Sequence, residues 1–147
     1  MRGFNVRLLM LHSDYFKYQV VERTRFSEDV DEAEKSGIIN EPVLVVFVCS
    51  EKVDEAGASQ VARKAAEEII NIASQVGTDN VVLHSFAHLS NSLSSPKIAK
   101  KIIGEIHQNL SSRGYRSVKT PFGWRDTFEL RVKSHPVSKV SRKILPE

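Results

Sequence analysis

The sequence predicts an α/β fold with a mixed sheet, and three observations carry that prediction. The continuous apolar run Val43-Leu44-Val45-Val46-Phe47-Val48 suits a central strand covered on both faces. Ala58 to Val76 and Ser95 to Leu110 place apolar residues at steps of three and four, the spacing of amphipathic helices. A second apolar run, Val81-Val82-Leu83, lies between them, so the middle of the chain reads strand–helix–strand–helix–strand. Crossovers of that length favour parallel strands with right-handed connections. An N-terminal hairpin and a C-terminal strand complete the expected sheet around this βαβαβ core with two main helices.

Taken in order, Val6 to Leu11 is apolar except for Arg7 and reads as a buried strand. Lys17 to Arg25 reads as a second strand, paired with the first as a hairpin through a turn at Ser13-Asp14. Ser27 to Asn40 carries Glu28, Asp29, Asp31, Glu32 and Glu34, and reads as a solvated loop or a short helix. Pro42 to Cys49 is the central strand. In the first helix Val61, Ala65, Ile69, Ile72 and Val76 form one stripe, with Gly77 where a C-cap glycine belongs. The second helix starts at Ser95-Pro96, serine as N-cap and proline at the first helical position. Its stripe is Ile98, Ile102, Ile106 and Leu110, and Gly114 ends it. Tyr115 to Lys119 is a short strand, Phe128 to Val132 alternates as a half-buried one, and the tail from Ser134 is basic.

At 147 residues the chain fits one domain able to bury its own core. Hydrophobic residues make up 41% and charged residues 27%, which are ordinary values for a globular domain. A net charge of +3 and a pI near 9.1 permit a nucleic-acid partner without requiring one. The single cysteine, Cys49, can form no internal disulfide, which suits a reducing compartment. No run approaches the roughly 20 apolar residues that span a bilayer, and the Met1-Arg2-Gly3-Phe4-Asn5 start does not open a signal peptide. The expectation is a cytoplasmic protein with no membrane contact.

In sheets of this kind ligands bind outside the carboxyl ends of strands. Three segments occupy such ends: His12-Ser13-Asp14-Tyr15, Cys49-Ser50-Glu51 and Ser85-Phe86-Ala87-His88. Pro121-Phe122-Gly123-Trp124 adds a turn in which proline fixes one dihedral and glycine permits the mirror region. Its aromatics either wall a pocket or pack in the core. His12 and His88 stand at expected strand ends that can converge, the face of His84 is ambiguous, and His107 falls on the second helix as a surface residue. No spacing suits a metal site, no Gly-x-Ser-x-Gly elbow occurs, and dinucleotide and P-loop glycine patterns are absent. Asp14 reads equally as a general base or as a turn cap. Cys49 reads as a small buried hydrophobe. The pattern is that of a pocket which positions a substrate carrying its own reactive group.

With those residues in view, the chain resembles the N-terminal editing domain of archaeal threonyl-tRNA synthetases. The resemblance runs over nearly its whole length. It is carried by Leu11-His12-Ser13-Asp14-Tyr15, Glu51-Lys52-Val53-Asp54-Glu55, Phe86-Ala87-His88-Leu89-Ser90, Pro121-Phe122-Gly123 and His135-Pro136. It implies a D-aminoacyl-tRNA deacylase-like fold, a homodimer, and hydrolysis of L-serine misattached to the tRNA for threonine, with no cofactor. It also implies a catalytic synthetase domain in cis or in trans, residues 1–147 being one editing domain.

By the resemblance, His88, Phe122, Gly123 and Trp124 form the catalytic set around the terminal adenosine and water. The substrate-binding set is His12, Asp14, Tyr15, Phe47, Cys49, Ser50, Glu51, Phe86, Ala87 and Pro121. Lys52, Arg125 and His135 meet RNA. The sequence departs from the family pattern at Asp126, where the family has lysine, and at Lys139, where it has glutamate. Both departures favour the mechanism in which the 2′-hydroxyl of the terminal ribose helps activate the water. The alternatives are a general D-aminoacyl-tRNA deacylase and a non-catalytic tRNA-binding module.

Overall fold

The computed structural model describes residues 5–144. The first four residues and Leu145-Pro146-Glu147 lie outside them. The strands are β1 (Arg7–Glu22), β2 (Ser36–Ile39), β3 (Val43–Cys49), β4 (Asn80–Ser85), β5 (Arg116–Lys119), β6 (Arg125–Val132) and β7 (Lys139–Lys143). The helices are α1 (Ala58–Val76) and α2 (Pro96–Ser112), with short 3-10 turns at Glu32–Glu34, Lys52–Gly57 and Ala87–Leu89. One mixed sheet holds the strands in the order β2-β1-β3-β4-β5, with β6 and β7 also paired to β1.

The βαβαβ core is as expected: β3, β4 and β5 are parallel, linked by α1 and α2. The expected hairpin is not there. Residues 7–22 form one strand, and Ser13 and Asp14 lie within it rather than at a turn. The first half of β1 pairs with β3 and β7, and the second half with β2 and β6. A register irregularity opposite β6 lies between Ser13 and Phe16. Leu8 and Met10 belong to the helix-side core, whereas Phe16 belongs to the core on the other face. The irregularity therefore changes which parity of residue points inward, as a bulge does. β2 and β7 are two further strands beyond those expected. Both are short, and each finds its partner in β1: β2 folds back on the strand before it, whereas β7 returns from the far end of the chain.

The alternation along β3 divides the two cores. Leu44, Val46 and Val48 face α1 and α2, while Val43, Val45 and Phe47 face a smaller cluster with Phe16 and Val82. All seven residues of β3 are buried, which explains its unbroken apolar run. α1 presents Val61, Ala65, Ile69 and Ile72 to the core, and Gly77 closes it at φ 77 with its N–H donating to Ala73 O. α2 presents Ile102, Ile106 and Leu110, and Ser95 Oγ caps it by accepting from Ile98 N. Burying each such aliphatic side chain is worth about 1.5–3 kcal/mol. Both helices cover one face, and the carboxyl ends of β3, β4 and β5 stay open at one edge.

Candidate functional site

At that open edge lies a cavity of ≈ 610 Å³, within the range of small-molecule sites. β3 supplies Cys49, followed by Ser50. β4 supplies His84 and Ser85, the turn after it supplies Ala87 and His88, and α2 supplies Ala99 and Ile103 near its start. Thr120 through Trp124 and Asp126 form the wall beyond β5, and Thr24, Arg25 and Phe26 close it from the loop after β1.

The wall beyond β5 is held by a clasp. Gly123 has φ 83, and a Cβ there would overlap the Phe26 carbonyl. Gly123 O accepts from Thr24 Oγ1 at 2.6 Å and from Ser27 Oγ at 3.1 Å. Phe122 N–H donates to Glu28 Oε2 at 2.7 Å, and Glu28 N–H donates back to Phe122 O at 3.0 Å. The Trp124 indole N–H donates to Glu28 O at 2.8 Å, and the Arg23 guanidinium lies 4.9 Å from the ring centroid. Phe122 N–H is thus committed to Glu28, and an oxyanion donor would have to come from another backbone group.

On β4, alternation puts His84 on the face opposite the helices, with Val82. Its ring meets Phe128 at 5.0 Å, Phe47 at 5.5 Å, Phe16 at 6.1 Å and Phe86 at 6.4 Å between centroids. Burial pushes its pKa down to about 4, so the imidazole is neutral at pH 7. His84 Nδ1 and Thr120 Oγ1 share a hydrogen bond of 2.9 Å, and His84 Nε2 is 3.8 Å from Asp126 Oδ2. An imidazole held that low is a weak base at neutral pH, so the contact does not make Thr120 an activated nucleophile. Burial raises the Asp126 carboxyl to about 6. It also raises the Cys49 thiol, helped by the charge of Glu51. Cys49 is therefore a thiol, not a thiolate nucleophile. Its Sγ lies 3.8 Å from Ala87 O. Ser50 Oγ and Ser94 Oγ share a hydrogen bond of 2.7 Å at the mouth.

The structure gathers Cys49, Ser50, Ala87, His88, Pro121, Phe122, Gly123 and Trp124 around this cavity. The other expected site residues stand outside its lining. Phe47 and Phe86 pack beneath His84 in the second core. His12 and His88 do not converge: His12 is buried within β1, and its Nδ1 meets His135 Nε2 at 2.8 Å. Asp14 accepts from Lys133 Nζ at 2.6 Å and pairs with Arg131 at 3.6 Å, and the Lys133 hydrogen bond holds its carboxyl below the usual range. Tyr15 donates to Glu129. Burial opposes the charge of Glu51, but hydrogen bonds from Ser90 and Arg7 outweigh it and hold that carboxyl low. Lys52 pairs with Glu55 at 3.7 Å, and Arg125 with Glu22 at 3.5 Å. Lys139, on β7, lies near Lys133 O and Ser138 Oγ, outside the cavity. His107, expected on the surface, is partly buried and bonded to Ser117 Oγ at 2.8 Å.

His84 and Thr120 are site residues that the sequence does not mark. Alternation along Val81–Ser85 leaves the face of His84 open, because the strand is buried on both sides. The signal that resolves it is non-local: four phenylalanines from β1, β3, β6 and the β4 end meet at that ring. Among the described residues no cluster of three or more His, Cys, Asp or Glu side chains is placed to hold a metal ion. No helix of the described residues is long and apolar enough to cross a membrane.

Fold and site together define an α/β domain with an open cavity at the ends of parallel strands, walled by backbone turns, hydroxyls, the imidazoles of His84 and His88, the Arg25 guanidinium and the Asp126 carboxyl. Comparison with known proteins gives that class a family. Residues 6–144 match the model described as the archaea-specific editing domain of threonyl-tRNA synthetase, and the chain belongs to that family. It is 43% identical over 143 residues to a threonine–tRNA ligase of Pyrococcus horikoshii, and 41% identical over 143 residues to that of Pyrococcus furiosus. It is 40% identical over 142 residues to the enzyme of Methanosphaera stadtmanae. Each match covers 97% of this chain and 23% of the relative. The chain thus spans about a quarter of the length of these relatives.

Proposed function

We propose that the domain proofreads the tRNA for threonine by hydrolysing the ester of misattached L-serine. The observation that carries this reading is the strand-end cavity in a chain of the editing-domain family. Serine and threonine differ by one methyl group, which a synthetic pocket discriminates by only about 1–3 kcal/mol. A second pocket that admits serine and excludes threonine by size removes the residual error. In this reading Ala87, Cys49 and Ser50 hold the seryl group, and Pro121 to Trp124 with His88 hold the terminal adenosine. The fold is then of the D-aminoacyl-tRNA deacylase kind, the domain works without a cofactor as a homodimer, and a synthetase domain acts in cis or in trans.

An aminoacyl ester is already activated, so its hydrolysis needs modest help. One oriented backbone donor at the developing oxyanion is worth roughly 3 kcal/mol, and fixing a water against the ester carbon supplies more. Cys49 is held as a thiol and His84 is too weak a base for the task, which suits a mechanism in which the ribose 2′-hydroxyl orients or deprotonates the water.

The test is deacylation of L-Ser-tRNA for threonine beside L-Thr-tRNA. Loss of serine with threonine retained is expected, and substrate ending in 2′-deoxyadenosine should resist. Full-speed turnover of the deoxy substrate overturns the hydroxyl mechanism. Loss of neither amino acid overturns the editing reading and leaves a tRNA-binding module.

A further inference from the structure

Asp126 is the feature of the cavity that the proposed reading leaves unused. It stands on β6 at Val20's register position, lines the cavity, and its side chain is 13% exposed. Among the described residues no lysine or arginine comes within ion-pair distance of it. The cations on nearby elements are engaged elsewhere: Arg125 with Glu22, Arg131 and Lys133 with Asp14, and Lys100 with Glu28, while Arg25, which also lines the cavity, lies over the Phe26 ring at 4.8 Å and makes no ion pair with Asp126. Its one basic neighbour is His84 at 3.8 Å, which the surrounding phenylalanines keep uncharged. A carboxylate in such a place is short of a counter-charge, and desolvation makes that lack costly. The cost is recovered when a ligand brings a cation into the cavity.

Resting on the reading that this cavity takes an aminoacylated 3′ end, we propose that Asp126 is the anchor for the α-ammonium of the aminoacyl group. The assignment follows from the chemistry of the ligand. Adenine and ribose are neutral and phosphate is repelled by a carboxylate, so the ammonium is the one cation such an ester carries. It sits one carbon from the ester carbonyl, so tethering it fixes the bond to be cleaved. The cavity then selects esters with a free amine and turns away those whose nitrogen is acylated.

The test uses two non-hydrolysable ligands at pH 7: the 3′-seryl amide of 3′-amino-3′-deoxyadenosine, and its counterpart in which a hydroxyl replaces the ammonium. Calorimetric titration of the wild-type chain should give at least ~10-fold tighter binding of the ammonium ligand. Asp126→Asn, its fold checked by thermal unfolding, should bind both with the affinity the wild type shows for the hydroxyl ligand. Equal binding of the two by the wild type overturns the anchor, and so does a preference that survives in Asp126→Asn. Asp126→Ser serves the same comparison if the asparagine variant fails to fold. Failure of the wild type to bind either ligand counts against the aminoacyl-adenosine reading itself, a result distinct from equal binding of both.

Discussion

Gly123 shows how much one residue can decide. Its positive φ and the Phe26 carbonyl beside it leave no room for a methyl group. Gly123→Ala should cost about 2 kcal/mol or more, lowering Tm and weakening binding of a seryl-adenosine amide at least ~10-fold. Unchanged binding in a folded variant would separate the turn from the ligand. The Pro121-x-Gly123 spacing already announces this turn, because proline and glycine fix backbone geometry locally. His84 is not legible in the same way. Its role depends on which face of β4 it occupies, and that is set by Phe16, Phe47, Phe86 and Phe128, which only the folded chain brings to it. Asp14 and His12 mislead in the opposite direction. Their polar, strand-end look comes from reading β1 as stopping at Leu11, and in the structure both are partnered inside the sheet.

At the scale of elements, the helices and the parallel strands are legible because each carries its own period, cap and stop. β1 is not, because Ser13 and Asp14 are turn residues by propensity and the irregularity there disguises a continuing strand. β2 and β7 are each five residues or fewer, and the partner of β7 lies at the opposite end of the chain. The loop from Thr24 to Glu28 has no regular structure, yet it clasps the Pro121–Trp124 turn from the other side of the cavity. Glu28 is its key residue, accepting from Phe122 N–H and lying 3.4 Å from Lys100 Nζ. Glu28→Ala should destabilise the domain by about 1.5–3 kcal/mol, the worth of a charge-assisted hydrogen bond. Glu28→Gln, which keeps an acceptor oxygen, should recover part of that. Urea unfolding of the three proteins checks it, and equal midpoints would mean the clasp adds nothing to stability.

For the whole molecule, His84 and Asp126 oppose each other in their effect on stability against pH. The folded state holds His84 neutral down to about 4 against an ordinary 6.5, so its contribution is lost as pH falls through that window. It holds Asp126 protonated up to about 6 against an ordinary 3.8, so its cost appears as pH rises through nearly the same window. The two slopes largely cancel. Asp126→Asn removes one of them: the variant should be more stable than wild type by about 1–2 kcal/mol at pH 7, with the advantage vanishing near pH 4. Thermal unfolding between pH 4 and pH 7 reads this directly, and parallel curves for the two proteins would refute it. The pairing of β1 bears on how the molecule is made. Residues 7–11 are paired on one side by β3 and on the other by β7. A nascent chain leaving the ribosome therefore holds an open edge on β1 until residues 139–143 have emerged. β1 is made early and completed late, and the exposed edge is a template for unwanted pairing during synthesis.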